Sequence, residues 1–193
     1  MSLDEAFADV LTVAKTARAP TAAWRTLCIR QRRRLGVKAS DALAELELDD
    51  DVARVRAIVR DLAMKSDHDT LVFSLYDAID DGTAAAGFYV APMKSGGRAA
   101  DDFMHDPWAR DHTYLRASVL DGVSHIAARC DLRTRWLVES VMAFAAAALV
   151  ARFAAPSCRI VVAFDEPKKG IPAFAELTVQ KKAEETRSAS AHP

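Results

Sequence analysis

The chain has 193 residues, of which 51% are hydrophobic and 27% charged, and its formal net charge is -1. This is enough apolar material for one domain with its own core, and it excludes both a disordered chain and a small scaffold that depends on disulfides. The near-zero charge also excludes a global field that would draw the protein to nucleic acid or to a membrane.

The start, Met1-Ser2-Leu3-Asp4-Glu5-Ala6, has no basic residues leading into an apolar run, so it does not read as a secretory signal. The longest apolar stretch, from Ser140 to Ala151, is bounded by Glu139 and Arg152. It falls short of the roughly 20 residues that a membrane-spanning helix needs, and it reads as a buried core helix. Cys28, Cys130 and Cys158 are odd in number and widely spaced, which suits reduced thiols in the cytoplasm. The abundance of alanine and arginine over lysine is a compositional habit of bacterial proteins.

In chain order, Leu3, Phe7, Val10, Leu11 and Ala14 predict a helix that continues to Arg18. After Pro20, Thr21 is the expected cap of a second helix carrying Trp24, Leu27, Cys28, Gln31 and Leu35, and Gly36 is placed to end it. Ser40 is the expected cap of a short helix through Glu47. A fourth helix follows Asp49-Asp50-Asp51, whose charges suit a helix start. The period then changes to two over 70–79, and a second strand over 85–91 follows the turn signal Asp81-Gly82. Residues 93–105 read as a loop. Asp106-Pro107 reads as a cap and first helical residue, with a helix running to Cys130. Asp131 is expected to cap an apolar helix over 132–153, the central element of the core. Strands over 159–165 and 171–180 complete a second hairpin, with Pro172 marking an edge position. The expected fold is α+β with a helical majority, in the order αααα-ββ-αα-ββ, with an antiparallel sheet built from the two hairpins. It occupies residues 1–182 as one domain, followed by a disordered tail over 183–193.

Chemistry is sparse. The segment around His105, Asp106, Asp111 and His112 gathers groups suited to acid–base work or metal ligation, and His68, Asp69 and His125 are the available third partners. Ordinary structural roles also account for it: Asp106 as a cap, Asp111 exposed in a first turn, His112 in line with Leu115 and Val119. The doublets His68-Asp69 and His105-Asp106 resemble the doublet that names a family of metal phosphohydrolases. Those enzymes are all-helical with the doublet on a helix, whereas Asp69 leads into a strand, so none of that family's residues is carried over.

No acidic residue lies between Asp9 and Asp41, and Arg30, Arg33 and Arg34 share one helix face within that gap. They are the candidates for phosphate contact. The acidic run from Asp41 to Asp51 follows directly and can neutralise them in cis, so nucleic-acid binding is not favoured. Cys130, between Arg129 and Asp131, is the candidate reactive thiol. Phe174 faces outward on the expected edge strand and is the candidate contact for another protein. No phosphate loop or nucleophile elbow is present, and no cofactor or metal is expected. The leading expectation is a small bacterial protein that binds another protein, as a regulator, immunity-type inhibitor or complex subunit, with a homo-oligomer also compatible. A hydrolase or metal-dependent enzyme using the 105–112 cluster, and a nucleic-acid binder using the arginine face, are the alternatives.

Overall fold

A computed structural model describes residues 3–65, 68–76, 86–93, 113–164 and 174–177. Four helices open the chain: α1 (Leu3–Thr16), α2 (Pro20–Leu35), α3 (Val37–Ala44) and α4 (Asp49–Lys65). Strands β1 (Thr70–Tyr76), β2 (Gly87–Met93) and β3 (Thr113–Arg116) follow, then helices α5 (Ser118–Ala127) and α6 (Leu132–Ala154). Strands β4 (Arg159–Phe164) and β5 (Phe174–Leu177) end the described part. The α+β class with a helical majority is as the sequence predicts.

Both expected strand pairs form, and the sheet that joins them is mixed. Its order is β3-β2-β1-β4-β5. The pairs β1/β2, β2/β3 and β4/β5 are antiparallel, while β1 and β4 run parallel, with Thr70 opposite Arg159 and Leu75 opposite Phe164. The wholly antiparallel sheet is therefore corrected. The long helical crossover from β3 to β4 returns the chain to the middle of the sheet, where a strand can only enter beside β1. The run Ile160-Val161-Val162-Ala163-Phe164 is buried at every position, as a central strand requires.

The helix predicted over 107–130 is also corrected. Positions 106–112 lie outside the described residues, but Thr113–Arg116 is a strand and α5 starts only at Ser118. Leu115, Val119 and Ile126 fit a helical stripe, yet Thr113-Tyr114-Leu115-Arg116 also alternates, and the free edge of β2 captures it. Tyr114 pairs with Tyr89, their ring centroids 5.6 Å apart. Gly87 makes this approach feasible: a Cβ there would sit 2.3 Å from the Leu115 carbonyl oxygen. Gly87→Ala must push the two strands apart and is expected to cost about 1–3 kcal/mol. Urea unfolding would check this, and unchanged stability would show that β3 is not held at this spacing.

Local details also differ from expectation near the N-terminus. Pro20, not Thr21, opens α2, and Ala19 at its N-cap position makes no side-chain cap. The Thr21 hydroxyl instead donates to the Asp49 carboxylate and accepts from the Leu48 backbone N–H, tying α2 to the start of α4. Ser40 lies inside α3 and donates to the Cys28 carbonyl at 2.9 Å. Gly36 ends α2 with φ 77, a conformation that favours glycine. The buried Trp24 indole donates to the Leu43 carbonyl at 2.7 Å and locks α2 to α3.

The core lies between the helices and one face of the sheet. Leu71, Phe73, Leu75, Phe88, Val90, Ile160 and Val162 point into it from the strands. From Phe144 through Ala151, every residue of α6 is buried, so the prediction of a central helix holds. By length and hydropathy alone α6 would qualify as a membrane span, but 78% of its most apolar window is buried within this fold. It is a core helix. On the opposite face of the sheet, Val72, Ala91 and Val161 form a second, smaller cluster.

Candidate functional site

The His105–His112 cluster lies outside the described residues. Its proposed third partners are placed. His125 is exposed on α5, 2.7 Å from an Arg129 guanidinium nitrogen. Asp69 precedes β1, where its carboxylate accepts from the Thr70 hydroxyl at 2.8 Å and its carbonyl accepts from the Arg159 backbone N–H at 3.1 Å. His68 and Asp69 are thus at one end of the sheet and His125 is on a helix. Among the described residues, no group of three or more His, Cys, Asp or Glu side chains is placed to hold a metal.

The basic face of α2 is largely engaged within the chain. Arg30 pairs with Asp9 on α1 at 2.6 Å. Asp9 also accepts from Gln31, whose own carbonyl accepts from Arg34 at 3.2 Å. Arg32 pairs with Asp41 at 3.2 Å, and Arg25 with Glu47 at 3.7 Å. The expected neutralisation by the 41–51 acids therefore involves Arg25 and Arg32, while Arg30 is held by an acid from the first helix. Arg33 is exposed and has no side-chain partner among the described residues. A phosphate-binding face needs several unspent cations, and of the three candidates only this one meets the requirement.

The thiols are not set up as nucleophiles. Burial pushes the Cys28 thiol up to about 12. Burial, followed by the Asp131 carboxylate, raises Cys130, and burial followed by the Asp69 carboxylate raises Cys158. Nucleophilic cysteine chemistry depends on the thiolate, so Cys130 does not fit the reactive role its sequence neighbours suggest. A small cleft between Ala6, Gln31, Arg34 and Leu137 has room for roughly one water molecule, too little for a substrate.

What stands out is the beginning of α6. Asp131 caps it as predicted, accepting from the Arg133 and Thr134 backbone N–H groups at 3.0 and 3.1 Å and from the Thr134 hydroxyl at 2.8 Å. The hydrogen bonds from Thr134 hold the Asp131 carboxyl below the usual range. The Leu132–Leu137 segment buries no residue. A π-helical turn over Val138–Met142 then leads into the buried Ala143–Ala154 segment. Within this turn the Ser140 hydroxyl donates to the Trp136 carbonyl. Leu132 is 86% exposed and Trp136 39% exposed. Four residues apart, they stack on one helix face.

Their polar surroundings are uneven. Arg133, one turn before Trp136, is exposed and its guanidinium has no partner among the described residues. Arg129 is exposed in the preceding turn. The two nearby carboxylates are engaged, Asp131 in the cap and Glu139 with Arg135 at 2.8 Å. Other exposed apolar side chains, such as Ile29 and Val37, do not combine an aromatic ring, an aliphatic partner and a free cation within two helical turns.

Sequence reasoning absorbed Leu132 and Trp136 into the core helix. The signal that separates them was available: Arg129, Arg133 and Arg135 interleave with them, whereas the continuous apolar run starts only after Glu139. The other interface candidate, Phe174, lies on β5, the outermost described strand beyond β4, and its position pairs with Ala163 in register. The chain matches no protein-family model, no curated protein and no solved structure.

Proposed function

We propose that the protein works by binding another protein, with the Leu132–Trp136 face of α6 as its principal contact. The observation that carries this reading is the exposure of Leu132 and Trp136 side by side at the capped start of a helix whose remainder is core. Isolated exposed apolar residues are ordinary on protein surfaces. A tryptophan beside an arginine that is unpaired among the described residues matches the composition of an interface hot spot, and the leucine on the same face adds apolar area to it. Because a rigid core helix presents them, little ordering entropy is lost on association. The edge strand β5 supports a second contact point near position 174, as strand edges accept partner chains. Three cysteines without disulfides suit a cytoplasmic setting. A regulator, an inhibitor or a subunit of a complex would each use such a surface.

The test compares the immobilised full chain with a Leu132→Asp/Trp136→Ala variant, both exposed to lysate of the cells that make it. A stoichiometric partner should be retained by the first and lost at least tenfold in the second, since hot-spot truncations cost about 2 kcal/mol or more. Equal retention by both forms, or no specific partner with either, would remove this face from the reading.

A further inference from the structure

Resting on the reading just given, we infer that the Leu132–Trp136 face takes an acidic protein segment, one that sets apolar side chains on Leu132 and Trp136 and carboxylates on Arg133 and Arg129. The charge pattern of the turn requires this choice. Five charged residues neighbour the apolar pair along the chain. Asp131 is spent on three hydrogen bonds at the helix start, and Glu139 is held by Arg135. Neither is free to answer an incoming cation. Among the described residues, exposed Arg133 has no side-chain partner and exposed Arg129 touches only the ring of His125. The face is therefore apolar at its centre and uncompensated positive at its border. A partner that covers it without carboxylates desolvates Arg133 and returns nothing, an arrangement that strongly disfavours binding. A basic partner is repelled. A bidentate carboxylate on the guanidinium suits its planar fork.

A second copy of this chain is a poorer occupant. A two-fold contact centred on this turn would bring the same pair of arginines from both copies to one interface. An anionic lipid surface offers charge without register, and it becomes an outcome of the experiment.

The experiment places a photoreactive aromatic at the site, Trp136→p-benzoylphenylalanine in the full chain, in the cells that make the protein. The crosslinked peptide is then identified. The expected product is a segment of another protein carrying Asp or Glu within one helical turn of its apolar contacts. Its yield should fall about tenfold or more in an Arg129→Glu/Arg133→Glu background and fall with added salt. Both arginines are exposed, so the reversed variant should keep the parent's thermal midpoint, which is measured alongside. Crosslinking to a neutral or basic segment, to lipid, to another copy of this chain, or to nothing overturns the inference. So does a yield indifferent to the charge reversal. If the Leu132→Asp/Trp136→Ala variant loses its partner while charge reversal has no effect, the binding reading stands and only the acidic character of the partner fails.

Discussion

Phe144→Ala is expected to cost about 3–5 kcal/mol, the range for truncating a buried aromatic. Phe144 is fully buried near the start of the Ala143–Ala154 segment of α6. Its ring meets Phe7 of α1 edge-on, with centroids 5.4 Å apart, and Phe164 of β4 at 5.9 Å. One side chain thus joins the first helix, the central helix and a central strand. The residues around it cannot close the gap easily, because its helix is packed along its length by alanines. These are already small and bring the neighbouring backbones close. For a chain of this size the thermal midpoint should drop by roughly 10–15 °C. Phe144→Leu keeps most of the volume and should recover over half of the loss. A calorimetric midpoint for the alanine variant within about 3 °C of the parent would show that this aromatic bridge does not organise the core.

The second large effect is expected at Asp51. This carboxylate is 2% exposed, yet it belongs to the first turn of α4 among two exposed aspartates. It accepts from the backbone N–H groups of Ser118 at 3.0 Å and Val119 at 2.8 Å, the first residues of α5. The residue preceding α5, Ala117, provides no side-chain cap, so Asp51 supplies it from 67 positions away in the chain. Arg54 pairs with the same carboxylate and also donates to the Ser118 hydroxyl at 2.8 Å. Asp51→Ala leaves two helix-start donors without acceptors in a dry place. The expected cost is about 3 kcal/mol, made up of lost charge-assisted hydrogen bonds and the desolvation of the orphaned groups. Asp51→Asn keeps one acceptor oxygen and should lose only about half as much. The readout is urea unfolding, with hydrogen exchange at Val119 and Leu120 to localise the effect. If Asp50→Ala is as damaging as Asp51→Ala, the cause is helix-dipole charge and not this tertiary cap. Asp50 is exposed and shares the same first turn.

Asp51 also marks how far local sequence signals reach. Read in sequence, Asp49-Asp50-Asp51 is a helix start with favourable charge, and α4 does begin there. That one of the three turns inward to cap another helix is invisible locally, because its partners lie on α5. The candidate site divides in the same way. Asp131 as a cap was legible because a cap and its helix are adjacent in the chain. The exposure of Leu132 and Trp136 was signalled only by the arginines interleaved with them, because whether a helix turn is covered depends on how far the rest of the fold extends. The cations of α2 follow suit. Their clustering is plain in sequence, but Asp9, which claims Arg30, lies on a separate helix, 21 positions away.

By itself, the sequence determined those features whose causes are local. Hydrophobic period distinguished the four opening helices and the strands β1, β2 and β4. Gly36 ended α2, and the unbroken apolar run of α6 assigned it to the core. Tertiary structure decided whatever depends on competition between distant segments. It made β1 and β4 parallel neighbours, because the α5–α6 crossover delivers β4 to the middle of the sheet. It turned Thr113–Arg116 from a helical stripe into a strand, because the edge of β2 offers backbone hydrogen bonds that a helix start at that point lacks. It also left the first turns of α6 uncovered, since burial is a property of what packs against a helix and not of the helix's own residues.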